Sequence, residues 1–350
     1  MIRRTTDLSP AHLGSFDAIL DVRSPGEFAI DHLPGAQSLP VLTDEERAAV
    51  GTIYTQRSHF EARRLGAALV AANIARHLQG PLSDHPASFR PLVYCWRGGM
   101  RSGAMATVFE QIGWQTVLVD GGYRTWRRQV VAALYDRPAI PHRLLLLDGA
   151  TGTGKTMLLE ALAEAGEQVL NLEALAGHRG SLFGAVPGGQ PAQKQFESAL
   201  YDALSRLDPT RPLFAEAESS RIGALSLPPA LWAAMERAPR IRICATESLR
   251  VAHILEHYHW IAGEEQALAE AIGRLPAHHS RARKEEWQAL ALAGDLAPLV
   301  GALIREHYDP AYARSTGRRA GPLLGEVRRS GRAEAEVRAL LALVPPDVGR

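Results

Sequence analysis

The sequence predicts an α/β protein, with two parallel-sheet domains in series and a mostly helical C-terminal part. Three observations carry that prediction. Short apolar runs alternate with helical patterns through roughly the first 250 residues. Two prolines in RPAIPH (137–142) interrupt the alternation, which then restarts. From about residue 248 onward, helical spacing with charged faces takes over. A length of 350 residues agrees, because one core rarely grows beyond about 250 residues. No internal repeat or low-complexity tract interrupts the pattern.

DAILDVRS (17–24) reads as a buried strand, and PGAQSLP (34–40) as a turn into a second short strand. HFEARRLGAALVAANIARHL (59–78) places apolar residues at helical spacing. PLVYCW (91–96) is a strand, MATVFEQIGW (105–114) a helix and QTVLVDGG (115–122) a strand ending in glycines. YRTWRRQVVAAL (123–134) is the helix that precedes the proline break. Beyond it, RLLLLDG (143–149) is a strand and TMLLEALAEAG (156–166) an amphipathic helix stopped by Gly166. PLFAEAE (212–218) and RIRICATE (240–247) are further strands. The expected domains are therefore 1–136, 137–250 and a helical extension of the second, 251–350.

Apolar content of 46% and charged content of 22% fit an ordinary soluble globular protein. A net charge of +1 announces no global nucleic-acid field, although a local patch would suffice. Only Cys95 and Cys244 are present, which argues against a disulfide framework and a structural zinc site; no metal site is expected. The opening MIRRTTDLSPAHLGSFDAILDVRS lacks the apolar core of a signal peptide, and no run approaches membrane-span length. A cytoplasmic enzyme with no membrane partner is expected. Its cationic residues are almost all arginine; the lysines are Lys155, Lys194 and Lys284.

GATGTGKT (149–156) fits G-x-x-x-x-G-K-[ST], with a strand before it and a helix after it. Gly149, Gly152 and Gly154 let the backbone wrap a phosphate. Its N–H groups and the helix N-terminus then supply fixed positive charge. Lys155 reaches the terminal phosphate, and Thr156 can ligate Mg²⁺. A hydrolytic enzyme usually adds an acid at the end of a second apolar strand. Glu216 and Glu218 are the nearest substitutes, so the loop is expected to hold a diphosphate without being an ATP motor.

VYCWRGGMRS (93–102) places Cys95 at a strand end, followed by Gly98 and Gly99 and flanked by Arg97 and Arg101. Such a loop can aim several N–H groups at the sulfur, favouring the thiolate or cradling an oxyanion. On its own it fits a core cysteine, a phosphatase or arsenate reductase, or a carrier of sulfur or selenium. Cys244, inside RIRICATE, reads as a packed strand residue.

ILDVRSPGEFAIDHLPGAQSLP (19–40) followed by VYCWRGGMRS resembles a rhodanese domain. Asp21 and Arg23 match its first-strand signature, and His32, Pro34, Gly35 and Ala36 its turn. With the P-loop NTPase-like domain behind it, the resemblance narrows. DEERAAVGTIYTQ (44–56), GHRGSLFG (177–184), EAESSRIG (216–223) and EHYDPAYARS (306–315) add to it. Over nearly its whole length the chain is similar to the bacterial tRNA 2-selenouridine synthase family.

That resemblance implies a transferase acting on the wobble uridine of tRNAs for lysine, glutamate and glutamine. The sulfur of 2-thiouridine is first alkylated by geranyl diphosphate, and selenium from selenophosphate then replaces the S-geranyl group. No tightly bound cofactor is implied. Cys95 is then the selenium-handling nucleophile, carrying a Cys–Se–H adduct, and Arg97, Gly98, Gly99 and Arg101 shape its loop. Gly149, Gly152, Gly154, Lys155 and Thr156 bind the diphosphate. His178, Arg179 and Ser181, with Glu218, Ser219 and Arg221, are candidate substrate-binding residues. Ala217 and Ser220 depart from the family's E-D-E-S-R-x-I-G pattern. RNA contact is expected from Arg124, Arg127 and Arg128, from Arg281, Arg283 and Lys284, or from Arg314, Arg318 and Arg319. The competing readings are an ATP-dependent small-molecule kinase fused to a sulfurtransferase, and a non-enzymatic nucleotide-sensing RNA-binding module.

Overall fold

The structure, a computed structural model, describes residues 2–180, 184, 186, 188–257, 265–275, 279–316 and 320–345. The chain forms two units, Met1–Arg137 with Pro191–Arg206, and Pro138–Gln190 with Leu207–Arg350.

The first unit runs β1 (Arg3–Thr5), α1 (Pro10–Leu13), β2 (Ala18–Asp21), α2 (Pro25–Ile30), β3 (Ala36–Ser38), α3 (Asp44–Gln56) and α4 (His59–Gln79). It continues with β4 (Pro91–Tyr94), α5 (Met100–Ile112), β5 (Val117–Val119) and α6 (Tyr123–Leu134). The strands form one parallel sheet in the order β1-β5-β4-β2-β3. β2 and β4 bury every residue, as strands covered on both faces must. Phe89, Phe109, Trp114, Met105 and Val93 share one apolar cluster with Cys95. The helix expected from 105 begins at Met100. Its first turn, residues 100–103, carries one apolar side chain, Met100, which is 72% exposed, so apolar periodicity does not reveal it. It stops at Gly113, whose φ of 103° caps the helix in the left-handed region.

The second unit starts with β6 (Arg143–Asp148), α7 (Lys155–Glu164), β7 (Gln168–Leu170) and α8 (Leu172–Ala176). The chain then contributes α9 (Gln193–Ser205) to the first unit before returning through β8 (Pro212–Glu216). The short antiparallel pair β9 (Arg221–Ile222) and β10 (Leu225–Ser226) follows, then α10 (Pro229–Arg237) and β11 (Arg240–Cys244). The C-terminal part holds α11 (Glu247–His257), α12 (Glu265–Gly273), α13 (Arg281–Leu292) and α14 (Leu296–Leu303). A π-helical turn (Ile304–Tyr308), α15 (Asp309–Thr316), β12 (Leu323–Arg328) and α16 (Ala333–Leu341) complete it. Its parallel sheet has the order β12-β11-β6-β8-β7.

Two features differ from the sequence reading. The C-terminal part is mostly helical, but its β12 completes the second sheet at an edge, pairing with β11. Only Val327 of β12 is buried, so the strand has no apolar alternation to announce it. Residues 191–206, placed in the second domain by the reading, pack with the first unit. There the Trp126 indole N–H donates to Ser198 Oγ (3.0 Å), Ser198 donates to Asp31 Oδ2 (3.0 Å), and Arg127 pairs with Glu197. Cys244 ends β11, half-buried, and burial pushes its thiol pKa up. No described helix is long and apolar enough to cross a membrane.

Candidate functional site

Ligand sites in parallel sheets gather at the C-terminal ends of strands, and both units place a loop there. In the first, β4 hands over to Cys95, and the loop Trp96–Gly99 leads into α5. A second glycine-rich turn, Gly121–Gly122, lies against it. Tyr123 N donates to Cys95 O (2.8 Å) and Arg124 N to Trp96 O (3.2 Å). Gly122 has φ 61°, and a Cβ there would overlap the Cys95 carbonyl oxygen. No other residue fits this backbone crossing. Gly98 lies equally close to Val119 O, 2.7 Å from where its Cβ would be.

The Cys95 side chain is buried, and the buried Ser102 hydroxyl donates to its Sγ (3.1 Å). Arg101 is turned to Glu27, with bonds of 2.7 and 3.3 Å. Burial works to raise the Glu27 pKa, but the Arg101 hydrogen bond and charge outweigh it and hold the carboxyl below its ordinary value. Arg97 is exposed. The structure thus gathers Cys95, Gly98 and Gly99 and pairs Arg101 sideways. The sequence reading missed Ser102, which it quoted as the end of the loop motif, and it missed Glu27, Gly122 and Tyr123. Beneath the loop, Arg23 is held bidentate by Asp21 and donates to Asp31 O (2.6 Å).

In the second unit, β6 ends at Asp148 and the glycine-rich loop leads to α7, with Gly154 at φ 79° as its N-cap. A Cβ on Gly154 would overlap the Arg329 guanidinium. Lys155 Nζ donates to Gly149 O (2.9 Å), folding back over its own loop. Two arginines from distant segments brace the loop. Arg250 donates to Thr151 O (2.8 Å) and is clamped by Asp309 (2.9 and 2.6 Å), whereas Arg329 donates to Thr153 O (2.7 Å). Tyr312 donates to Asp148 (2.9 Å), which also holds Arg240 (2.9 Å).

Three glutamates collect beside the loop. Thr156 Oγ1 donates to Glu173 (3.2 Å), whose pKa burial, and then the charge of Glu218, raise to about 7. Glu216, ending β8 beside β6, accepts Leu172 N (3.2 Å) through one oxygen; the other is buried without a partner. Burial, then the Glu173 charge, push the Glu216 pKa up to about 8. Burial thus favours the protonated form of Glu216. Among the described residues no group of three or more His, Cys, Asp or Glu side chains has metal-holding geometry.

A cavity of about 950 Å³ opens here. Gly149, Gly152, Gly154, Lys155 and Thr156 line it, together with Trp232, Met235, Ile254, Tyr308 and Tyr312. His178, Arg179, Glu218 and Ser219 also line it, and burial lowers the His178 pKa. Arg221 does not; it is exposed on β9. Ser181, Arg318 and Arg319 lie outside the described residues.

Comparison with known proteins agrees with the two-domain reading. The family model for the rhodanese-like domain matches residues 9–129, and the model described as the tRNA 2-selenouridine synthase AAA domain matches 142–284. A tRNA 2-selenouridine synthase from Alcanivorax borkumensis is 33% identical over 92% of this chain and 94% of its own. Those of Hahella chejuensis (34%; 86% and 86%) and Nitrosomonas europaea (36%; 73% and 67%) are similar.

Proposed function

The chain belongs to the tRNA 2-selenouridine synthase family, and from that premise we propose that it converts wobble 2-thiouridine to 2-selenouridine in two steps. In the first, the C2 sulfur attacks C1 of geranyl diphosphate; a C–S bond forms and diphosphate leaves. In the second, the selenium of selenophosphate displaces the S-geranyl group from C2, geranylthiol leaves, and water cleaves the P–Se bond to release phosphate; geranylthiolate leaves C2 more readily than a bare thiocarbonyl sulfur. The tRNA acceptors are those for lysine, glutamate and glutamine, and the setting is the cytoplasm.

The observation that carries this reading is the composition of the cavity. One wall is an anion-binding backbone loop with Lys155; the rest of the lining joins an apolar stretch to polar side chains that include Asn171, Glu173, His178, Arg179 and Glu218. A prenyl diphosphate needs an anion cradle next to apolar surface, which Trp232, Met235, Ile254, Tyr308 and Tyr312 supply. The volume lies within the range of small-molecule pockets. Thr156 and Glu173 are the residues that would hold Mg²⁺ beside the diphosphate; their oxygen donors suit a hard cation. Such an ion would neutralise charge on the leaving diphosphate.

In the other unit, Cys95 is the proposed selenium-handling nucleophile. The buried Ser102 hydroxyl donates a hydrogen bond to its sulfur and orients it. Nucleoside mass spectrometry of 2-thiouridine tRNA tests the scheme. Geranyl diphosphate alone yields the S-geranyl nucleoside, both donors yield 2-selenouridine, and selenophosphate alone yields neither. Fast 2-selenouridine formation without the prenyl donor overturns the sequence of steps. Rapid ATP turnover without tRNA supports the kinase reading instead.

A further inference from the structure

The motif DEERAAVGTIYTQ and the segment after it form a helical hairpin, α3 and α4, whose base meets the surroundings of the Cys95 loop where Arg47 pairs with Glu27 (3.9 Å). Its base is firmly fixed. Thr43 and Glu46 form a capping box, Glu46 accepts from Asn73 (2.8 Å), Asn73 donates to Val41 O (3.1 Å), and Asp44 accepts Gly26 N (2.9 Å). Yet α3 buries none of its thirteen residues, so nothing in the core requires it.

The tip has the opposite character. Tyr54 and His59 stack with ring centroids 4.1 Å apart and planes 19° from parallel. Tyr54 is 42% and Phe60 71% exposed. Arg57, Arg63 and Arg64 surround them, exposed, with no side-chain hydrogen bond or ion pair among the described residues. Glu61 is the one acid between residues 54 and 64. Several residues of the clusters expected to meet RNA are engaged internally. Arg127 pairs with Glu197, Arg281 with Glu285, Arg283 with Glu286 and Glu306, and Lys284 donates to Leu275 O.

We infer that the α3–α4 tip is an RNA-contact surface, where unpaired bases of the tRNA substrate stack on Tyr54 and Phe60 and their phosphates meet Arg57, Arg63 and Arg64. The inference rests on the family reading that the substrate is tRNA. Open aromatic faces interleaved with unpaired arginines are the chemistry that grips splayed bases. An apolar protein partner would instead be met by a contiguous apolar patch.

The test is binding of tRNA bearing wobble 2-thiouridine to the full-length protein, by fluorescence anisotropy across a salt series. The double variant Tyr54→Ala/Phe60→Ala is expected to bind at least about tenfold more weakly. The triple variant Arg57→Gln/Arg63→Gln/Arg64→Gln is expected to flatten the slope of log affinity against log salt by about 2. Because all five substituted side chains are exposed, thermal unfolding of both variants should match wild type. If wild type fails to bind tRNA, the family-based substrate reading falls, and the inference with it. If wild type binds and both variants bind equally well with the same salt slope, the inference alone falls. Loss of self-association in the aromatic variant with tRNA affinity unchanged assigns the tip to a second copy and likewise overturns it.

Discussion

The Cys95 loop and the glycine-rich loop of the second unit are the same device, a glycine-bearing turn from a parallel strand into a helix. They are finished in opposite ways. The Cys95 loop is closed, its sulfur buried against Ser102 and its backbone locked under Gly122. The second loop borders a cavity of about 950 Å³ and is braced by arginines from the C-terminal part. A site that handles a single atom gains from tight enclosure, because every donor can be aimed at one point. A site for an extended molecule needs volume, and its rigidity has to come from outside the loop.

The contrast is broken most severely at Gly122. Gly122→Ala forces a Cβ onto the Cys95 carbonyl at a left-handed φ. Selenium insertion should fall by about a hundredfold or more, corresponding to roughly 3 kcal/mol of lost geometry, while formation of the S-geranyl nucleoside continues. Quantified nucleosides from one reaction report both. A smaller effect is expected from Arg250→Met, which releases the Thr151 carbonyl and strands Asp309. The KM for geranyl diphosphate should rise about tenfold, the equivalent of about 1.4 kcal/mol, with selenation of pre-geranylated tRNA unchanged. Steady-state kinetics on the two half-reactions separates these outcomes.

The smallest effect is a pH-dependent stability difference at Glu216. Its pKa rises from the ordinary 4.5 to about 8 on folding, so its contribution is complete below pH 4.5 and is lost as pH climbs through 8. Glu216→Gln keeps an acceptor for Leu172 N without the buried charge. The variant should melt several degrees above wild type at pH 8.5, since about 1 kcal/mol moves Tm by roughly 2–4 °C in a domain of this size. The two curves should converge near pH 5. Equal melting temperatures at both pH values would show that Glu216 is not held protonated.

What the sequence made legible follows the same division. Both loops were readable because their chemistry is written in contiguous residues, Cys95 to Ser102 and Gly149 to Thr156. Their partners were not, because those are remote in sequence. Glu27 lies 74 positions from Arg101, Arg250 lies 99 from Thr151, and Arg329 lies 176 from Thr153. Arg101 illustrates the cost: its place in the motif gives no sign of Glu27, with which the fold pairs it. Parallel strands with both faces covered, such as β2, β4 and β6, were visible as apolar runs. β12 and α3, which bury little or nothing, gave no periodicity to read. The cavity was invisible because Trp232, Ile254 and Tyr312 converge only through the tertiary fold.

The central claim is that the two loops perform separate chemical steps, and a crossed pair of variants tests it most directly. Cys95→Ala and Lys155→Ala proteins are each given 2-thiouridine tRNA with both donors, and separately pre-geranylated tRNA with selenophosphate. Nucleosides are then quantified by mass spectrometry. The account predicts that Cys95→Ala accumulates the S-geranyl nucleoside and makes no 2-selenouridine from either substrate. Lys155→Ala should make little S-geranyl nucleoside, yet convert pre-geranylated tRNA to 2-selenouridine at the wild-type rate. Normal 2-selenouridine formation by Cys95→Ala, or loss of both steps in Lys155→Ala, would contradict it.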